Sequence, residues 1–125
     1  MSLFEAFSQI ASFTAFTDPP GSDGAFAPRL DVYETGADLV IEAELPGTSP
    51  EDVRLTVRGD TLVIEGVKRM GARVLGGPVE RVLCLERAAG PFRRLVRLPV
   101  RVDAERGRAR LADGVLAVVL PRRRP

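Results

Sequence analysis

Apolar residues occupy every second position along three runs in the first half of the chain, at residues 39–45, 53–58 and 61–65, and most of the positions between them are polar. Successive side chains of an extended strand point to opposite faces, so this alternation is typical of strands with one buried face. Short stretches of turn-forming residues separate the runs, among them Pro-Gly-Thr-Ser-Pro and Gly-Asp. The pattern therefore predicts consecutive antiparallel strands joined by turns.

The second half of the chain resumes this pattern after a gap. Residues 68–79 are Gly-rich and weakly patterned, which predicts a long loop, and apolar runs return at residues 82–85 and 92–98. Asp113-Gly114 lies between two further runs, and this dipeptide favours the tight turn of a β-hairpin because it tolerates positive φ. Seven to nine short strands and no long helix after residue 28 predict an all-β protein, a β-sandwich.

The first 28 residues differ from the rest in composition. They hold five of the six Phe residues, no Lys or Arg, and a linker-like stretch, Asp-Pro-Pro-Gly-Ser-Asp-Gly. Their apolar residues recur every three positions, a spacing that drifts around a helix and makes no single apolar stripe. We therefore predict a flexible N-terminal arm (residues 1–28) ahead of one domain (residues 29–121). The large apolar residues of the arm are Phe4, Phe7, Ile10, Phe13, Phe16 and Phe26.

The composition disfavours most catalytic chemistry. A chain of 125 residues that is 45% hydrophobic suits one domain with its own core. It has no His, which removes the commonest general base and metal ligand, and its single Cys excludes a disulfide framework. We expect no enzyme activity, no cofactor and no metal, and we expect Cys84 to be a small buried residue. No signal peptide or spanning segment is recognisable, so we expect a soluble cytoplasmic protein with no membrane contact.

Charge is divided between the two halves of the chain. Residues 1–66 hold 12 acidic and 3 basic residues, a net charge of −9, whereas residues 67–125 hold 5 acidic and 15 basic residues, a net charge of +10. A basic half suggests nucleic-acid binding, but no aromatic residues accompany these arginines as stacking platforms. Acidic and basic strands that lie side by side are the better interpretation. Residues 122–125 are then a short basic tail in solvent.

Three sequence blocks occur in a characteristic order. The first is Leu-Pro-Gly at residues 45–47 with Glu-Asp-Val at residues 51–53, and the second runs from Glu86-Arg87 through Gly-Pro-Phe-Arg-Arg to Leu-Pro at residues 98–99. The third block resembles the motif A-x-x-x-n-G-V-L with Asp in place of Asn, and its residues are Ala109, Asp113, Gly114, Val115 and Leu116. Together these blocks resemble the small heat shock proteins, the Hsp20 or α-crystallin domain family.

This resemblance implies an immunoglobulin-like antiparallel β-sandwich (an α-crystallin domain) that acts as an ATP-independent holdase on unfolding client proteins. In bacterial and plant members the long loop carries a strand that pairs with the first core strand of a partner subunit. The resemblance places that homodimer contact at Leu30, Asp31, Val32, Tyr33, Arg73, Val74, Leu75 and Arg81. It places an apolar groove between two edge strands, at Val53, Leu55, Val57, Ala109 and Leu111, although packing in the core is the favoured alternative for those side chains that point inward.

The arm is open to three interpretations, namely client contact, self-assembly of subunits, and disorder without a binding role. Scattered Phe side chains on a flexible segment suit a surface that must fit many irregular partners. The alternative function is a co-chaperone or adaptor that docks on one folded partner, and nucleic-acid binding is less favoured. The family's Ile-x-Ile/Val tail motif does not occur in residues 122–125, so we expect a dimer or a small oligomer.

Overall fold

A computed structural model describes residues 26–69 and 78–123, which form seven strands and two short 3-10 helices. The strands are β1 (Leu30–Glu34), β2 (Asp38–Glu44), β3 (Val53–Arg58), β4 (Thr61–Lys68), β5 (Gly90–Arg97), β6 (Arg108–Ala112) and β7 (Val115–Pro121). The 3-10 helices span Pro50–Asp52 and Ala104–Arg106. The all-β prediction is confirmed, with a strand number at the lower end of the predicted range.

The strands form two antiparallel sheets that pack face to face as a sandwich. One sheet has the strand order β1-β2-β7-β6 and the other has the order β3-β4-β5. Asp113 and Gly114 form the predicted hairpin turn between β6 and β7, and both have positive φ, 55° and 77°. Positive φ at both central residues matches the right-handed twist of the flanking strands, which is why this dipeptide suits the position.

Alternate residues of the two sheets meet in one apolar core. Leu39 and Ile41 of β2 and Ile64 of β4 lie fully buried at its centre, and Phe92 of β5 contributes an aromatic ring. Burying a side chain of this size contributes about 1.5–3 kcal/mol relative to leaving it in water. The alternation read from the sequence therefore corresponds to the inner and outer faces of the sandwich.

Residues 78–89 approach β5 without joining either sheet. Their apolar side chains are exposed, and Cys84 is exposed with them. The expectation that Cys84 is buried was wrong, because within the described part of the chain this segment has no strand partner to cover it. An apolar run predicted a buried strand here, and the fold leaves that run on the surface.

The last residues of the predicted arm lie against the sandwich. The ring of Phe26 packs edge to face on Phe92, with 5.8 Å between ring centroids and 85° between ring planes. The Lys68 ammonium lies 4.8 Å from the centre of the same ring, within the range of a cation–π contact. Pro28 is fully buried. The chain is thus attached to the sandwich from residue 26 onwards, and the other candidate residues of the arm lie outside the described residues.

Candidate functional site

An apolar groove opens between β3 and β6, which are edge strands of opposite sheets. Leu55 and Val57 line it from β3 and Ala109 lines it from β6. The groove has a volume of about 350 Å³, and Leu62, Val118 and Leu120 form its floor. It stays open because no third strand pairs with the outer edge of either β3 or β6 among residues 26–69 and 78–123.

The structure brings three of the five predicted groove residues together. Val53 and Leu111 do not line the groove, although they are half-buried against the core as Leu55 and Val57 are. Val53 also borders a separate cleft of about 660 Å³, which lies beside the start of β3 and the end of β4. Sequence reasoning missed the floor residues because they sit at inward positions of β4 and β7. Their only signal was the alternation itself, which does not distinguish a closed core from the base of a groove.

Two charged residues stand at the rim of the groove. Glu105 belongs to the second 3-10 helix and Arg108 begins β6, and both border the cavity beside Gly107. A Cβ atom added to Gly107 would lie 2.9 Å from Leu120 Cδ2 and 3.0 Å from the Ala104 carbonyl oxygen. Glycine at this position therefore lets the connection to β6 pass close to the groove floor. The groove accordingly offers an apolar base with Glu105 and the start of β6 at its edge.

A second open feature is the outer edge of β1, the strand that carries half of the predicted dimer residues. β1 pairs only with β2 in the described chain. Leu30 is buried and Val32 packs against the core, whereas Asp31 and Tyr33 are exposed on the outer face. An unpaired edge with free N–H and C=O groups can accept another strand.

Tyr33 is held in place by its neighbour on β2. Its hydroxyl donates a hydrogen bond to Glu42 Oε1. This bond, together with partial burial and the negative charges of Glu42 and Asp31, raises the pKa of Tyr33 to about 12. The shift has this direction because a phenolate would lose the donated proton and face two carboxylates.

The remaining predicted dimer residues fall in the connection between β4 and β5. Arg73, Val74 and Leu75 lie outside the described residues, and Arg81 is exposed. Around Arg81 the chain presents four large exposed apolar side chains, with exposed fractions of 59–81%, at Val79, Val82, Leu83 and Leu85. Sequence reasoning placed an exchanged strand within residues 72–83, so it missed Leu85 at the end of this apolar segment.

The signature residues join two distant parts of the chain. Gly114 in the β6–β7 turn accepts a hydrogen bond on its carbonyl oxygen from the Leu45 backbone N–H, with N and O 2.7 Å apart. A Cβ atom on Gly114 would approach the Cα atom of Pro46 to 3.2 Å. Ala109 lies on β6, while Val115 and Leu116 begin β7. The Leu-Pro-Gly block and the hairpin block thus meet at one end of the sandwich.

A model of the Hsp20/alpha crystallin family matches residues 31–125. The chain belongs to this family. Spore protein SP21 of Stigmatella aurantiaca is 36% identical over 99 residues, which cover 79% of this chain but only 57% of that protein. The 16.9 kDa class I heat shock protein 1 of Oryza sativa subsp. japonica is 32% identical over 124 residues, covering 98% of this chain and 81% of the relative.

Solved small heat shock proteins share the fold. Heat shock protein 16.0 from Schizosaccharomyces pombe superimposes with a TM-score of 0.68 at 31% identity, covering 76% of this chain and 86% of that one. A small heat-shock protein from Xylella fastidiosa gives a TM-score of 0.69 at 29% identity, covering 82% and 91%. The α-crystallin sandwich expected from the three sequence blocks is therefore confirmed.

The described residues contain neither a cluster of metal ligands nor a membrane-spanning helix. Among residues 26–69 and 78–123, no three His, Cys, Asp or Glu side chains are grouped closely enough to hold a metal ion. The described chain also contains no helix of the length and apolarity needed to cross a membrane. The features that stand out are apolar and open: the groove between β3 and β6, the β1 edge, and the exposed segment at residues 79–85.

Proposed function

We propose that this small heat shock protein is an ATP-independent holdase that binds unfolding proteins and keeps them from aggregating. The observation that carries the proposal is open apolar surface on a folded domain of this family, foremost the groove floored by Leu62, Val118 and Leu120. A holdase needs no proton transfer, nucleotide or redox chemistry. It needs surface that a partly unfolded chain can cover, and on that basis we propose a non-enzymatic role. The proposed location of this role is the cytoplasm.

Client capture would be driven by burial of apolar area from both partners. Each Å² removed from water contributes about 25 cal/mol before the cost of ordering the client is subtracted. We propose that the Phe side chains of the arm add adaptable contact area to that of the groove. Phe26 is the one arm Phe within the described residues, and its ring packs on Phe92, so the end of the arm that leads into the domain lies beside β5.

The subunits would pair by exchanging the exposed segment at residues 79–85 onto the β1 edge. Two observations support this contact: the segment carries four exposed apolar side chains, and β1 offers an unpaired edge. Pairing would cover both at once, and it would satisfy backbone groups that an edge strand otherwise leaves open. This proposal places Leu85, beyond the range expected from the sequence, within the exchanged segment.

The direct test is light scattering of a model client that aggregates when it is heated or when its disulfides are reduced. With the chain at several-fold molar excess and no ATP, we expect scattering to be suppressed, while an unrelated protein at equal mass concentration leaves it unchanged. Undiminished scattering would contradict the proposal. A pull-down that instead returns one folded partner in fixed stoichiometry would favour the adaptor function.

A further inference from the structure

The outer face of the four-stranded sheet sorts its charges by strand. Register joins the positions of one row across all four strands, because Asp31 pairs with Glu42, Glu42 with Ala117, and Ala117 with Arg110. The next row in the same register consists of Tyr33, Val40, Val119 and Arg108. Each row thus begins on β1, has an apolar residue on β7 and ends in an arginine on β6.

These charges have few partners within the subunit. Asp31 and Arg110 are both exposed, and neither makes an ion pair in the part of the chain that the structure describes. They lie three strand spacings apart, which is about 14 Å. That distance exceeds the reach of a salt bridge, so the two ends of a row do not neutralise each other within one sheet. The face presents an acidic side and a basic side separated by a strip of small apolar residues.

We propose that this face packs against the same face of a second copy of the chain, related by a two-fold axis parallel to the strands between β2 and β7. Such an axis places β1 of one copy over β6 of the other. It does not shift residues along the strand direction, so each row lies opposite the same row of the second copy. Asp31 then faces Arg110 of the second copy, and Tyr33 faces Arg108. Because the contact is isologous, each pairing occurs twice.

The middle of the face permits this approach. Beside the axis, Ala117 and Val119 of β7 are half-buried and Val40 of β2 is buried. Glu42 is the one long side chain at these four positions, and the hydrogen bond from Tyr33 draws its carboxylate towards β1. Packed sheets lie about 10 Å apart, a spacing that small side chains allow. The guanidinium of Arg108 over the exposed ring of Tyr33 adds a cation–π contact. The Tyr33 hydrogen bond to Glu42 holds that ring on the face.

The size of the face sets the strength of the contact. Four strands of five to seven residues offer about 400 Å² on each copy, roughly half of a standard interface. A contact of this size with exposed charges is weak and salt-sensitive, so it links subunits that are concentrated or already joined. It uses the face of the sheet, whereas strand exchange would use the edge of β1, and it therefore goes beyond the proposed function.

Charge reversal tests the pairing in solution. We compare Asp31→Arg, Arg110→Glu and the double variant by sedimentation velocity over a concentration series at low salt. Each single variant sets like charges opposite each other twice, so we expect the dissociation constant of one association step to rise about tenfold. The double variant, and an equimolar mixture of the two single variants, should return to within about threefold of the parent value. Arg54→Glu, an equal charge change on the opposite sheet, should change nothing.

The decisive result is that the double variant regains the association of the parent. Single variants that associate as the parent does, or a double variant as weak as the singles, would overturn the pairing. A cross-link gives an independent measurement in the Cys84→Ser background. A bis-maleimide that spans about 10 Å should join a chain carrying Asp31→Cys to one carrying Arg110→Cys. If it joins Arg54→Cys to Arg110→Cys chains equally well, the face is not the contact.

Discussion

Arg94, whose side chain is almost fully buried between the sheets, donates a hydrogen bond from Nη1 to the carbonyl oxygen of Pro28, 2.6 Å away. The two residues lie 66 positions apart in the chain. The bond ties the segment that leads into β1 to the inner face of β5. Beside it, Phe26 rests on Phe92, so the point at which the arm meets the domain is defined by the side chains of β5.

Replacing Arg94 should destabilise the domain and loosen this attachment. Arg94→Met keeps a long apolar side chain but leaves the Pro28 carbonyl without its charged donor, and such a loss costs about 1–3 kcal/mol of unfolding free energy. Urea denaturation measures it. Arg93→Met is the matched control, because Arg93 is exposed and its Nε lies 3.6 Å from Glu65 Oε2, an exposed ion pair worth under about 1 kcal/mol. Equal losses for both variants would contradict the anchoring role of Arg94.

Gly66 of β4 should not tolerate a larger residue. A Cβ atom there would lie 2.0 Å from the Asp52 carbonyl oxygen and 3.0 Å from Phe92 Cζ. We expect Gly66→Ala to lower the unfolding free energy by about 1–3 kcal/mol, because the 3-10 helix and the core ring must both move. Gly36→Ala is the control, since an added Cβ meets nothing within 4 Å in that turn. Thermal unfolding of both variants checks the prediction, and an unchanged melting temperature for Gly66→Ala would contradict it.

A charge placed in the groove should weaken client protection. Ala109 is exposed on β6 and borders the groove, so Ala109→Glu adds a carboxylate there without removing a core contact. Covering that carboxylate with an apolar client segment is costly, and we expect about fivefold more chaperone for half-suppression of scattering. Ala37→Glu makes the same change in the exposed β1–β2 turn and should have no effect. Equal protection by both variants would move client binding away from the groove.

If the subunits pair by strand exchange as proposed, deleting residues 71–83 should yield monomers. The deletion removes most of the exposed apolar segment, and the residues left can still join β4 to β5 because Lys68 and Gly90 are paired neighbours. Circular dichroism verifies the sandwich, and sedimentation equilibrium reports the mass. A chain without residues 1–25 serves as the control and should remain dimeric. Persistence of the dimer after the loop deletion would refute strand exchange.

The Tyr33 hydroxyl should lose its proton at a higher pH than an ordinary tyrosine, and its titration can be followed without overlap from another aromatic side chain. It is the only Tyr in a chain without Trp, so the ultraviolet absorbance of phenolate reports this one side chain. Its pKa is raised to about 12 in the folded protein, against about 10 in an unfolded chain. The stabilisation from its hydrogen bond is therefore fully present below pH 10 and lost as the pH rises towards 12. Glu42→Gln should lower the pKa of Tyr33. Tyr33→Phe should have a smaller free energy of unfolding than the parent below pH 10, and this difference should disappear as the pH rises towards 12.

Local patterns predicted most of the strands, because alternation and turn chemistry depend on neighbouring residues. Leu39 and Ile41 were placed correctly on an inner face, and Asp113-Gly114 was placed correctly in a hairpin turn. The same reasoning failed for Cys84. An apolar run predicts burial only if another element covers it, and that depends on contacts with residues far along the chain.

The amino-acid sequence alone determined the sandwich class, the family resemblance and the division of charge between the two halves of the chain. The tertiary structure decided which strands became edges, and therefore which apolar residues became a groove floor and not a closed core. It also decided that Asp31 and Arg110 share one face about 14 Å apart. The physical reason is register, since β2 pairs with β7 across most of the chain and no local pattern encodes that pairing.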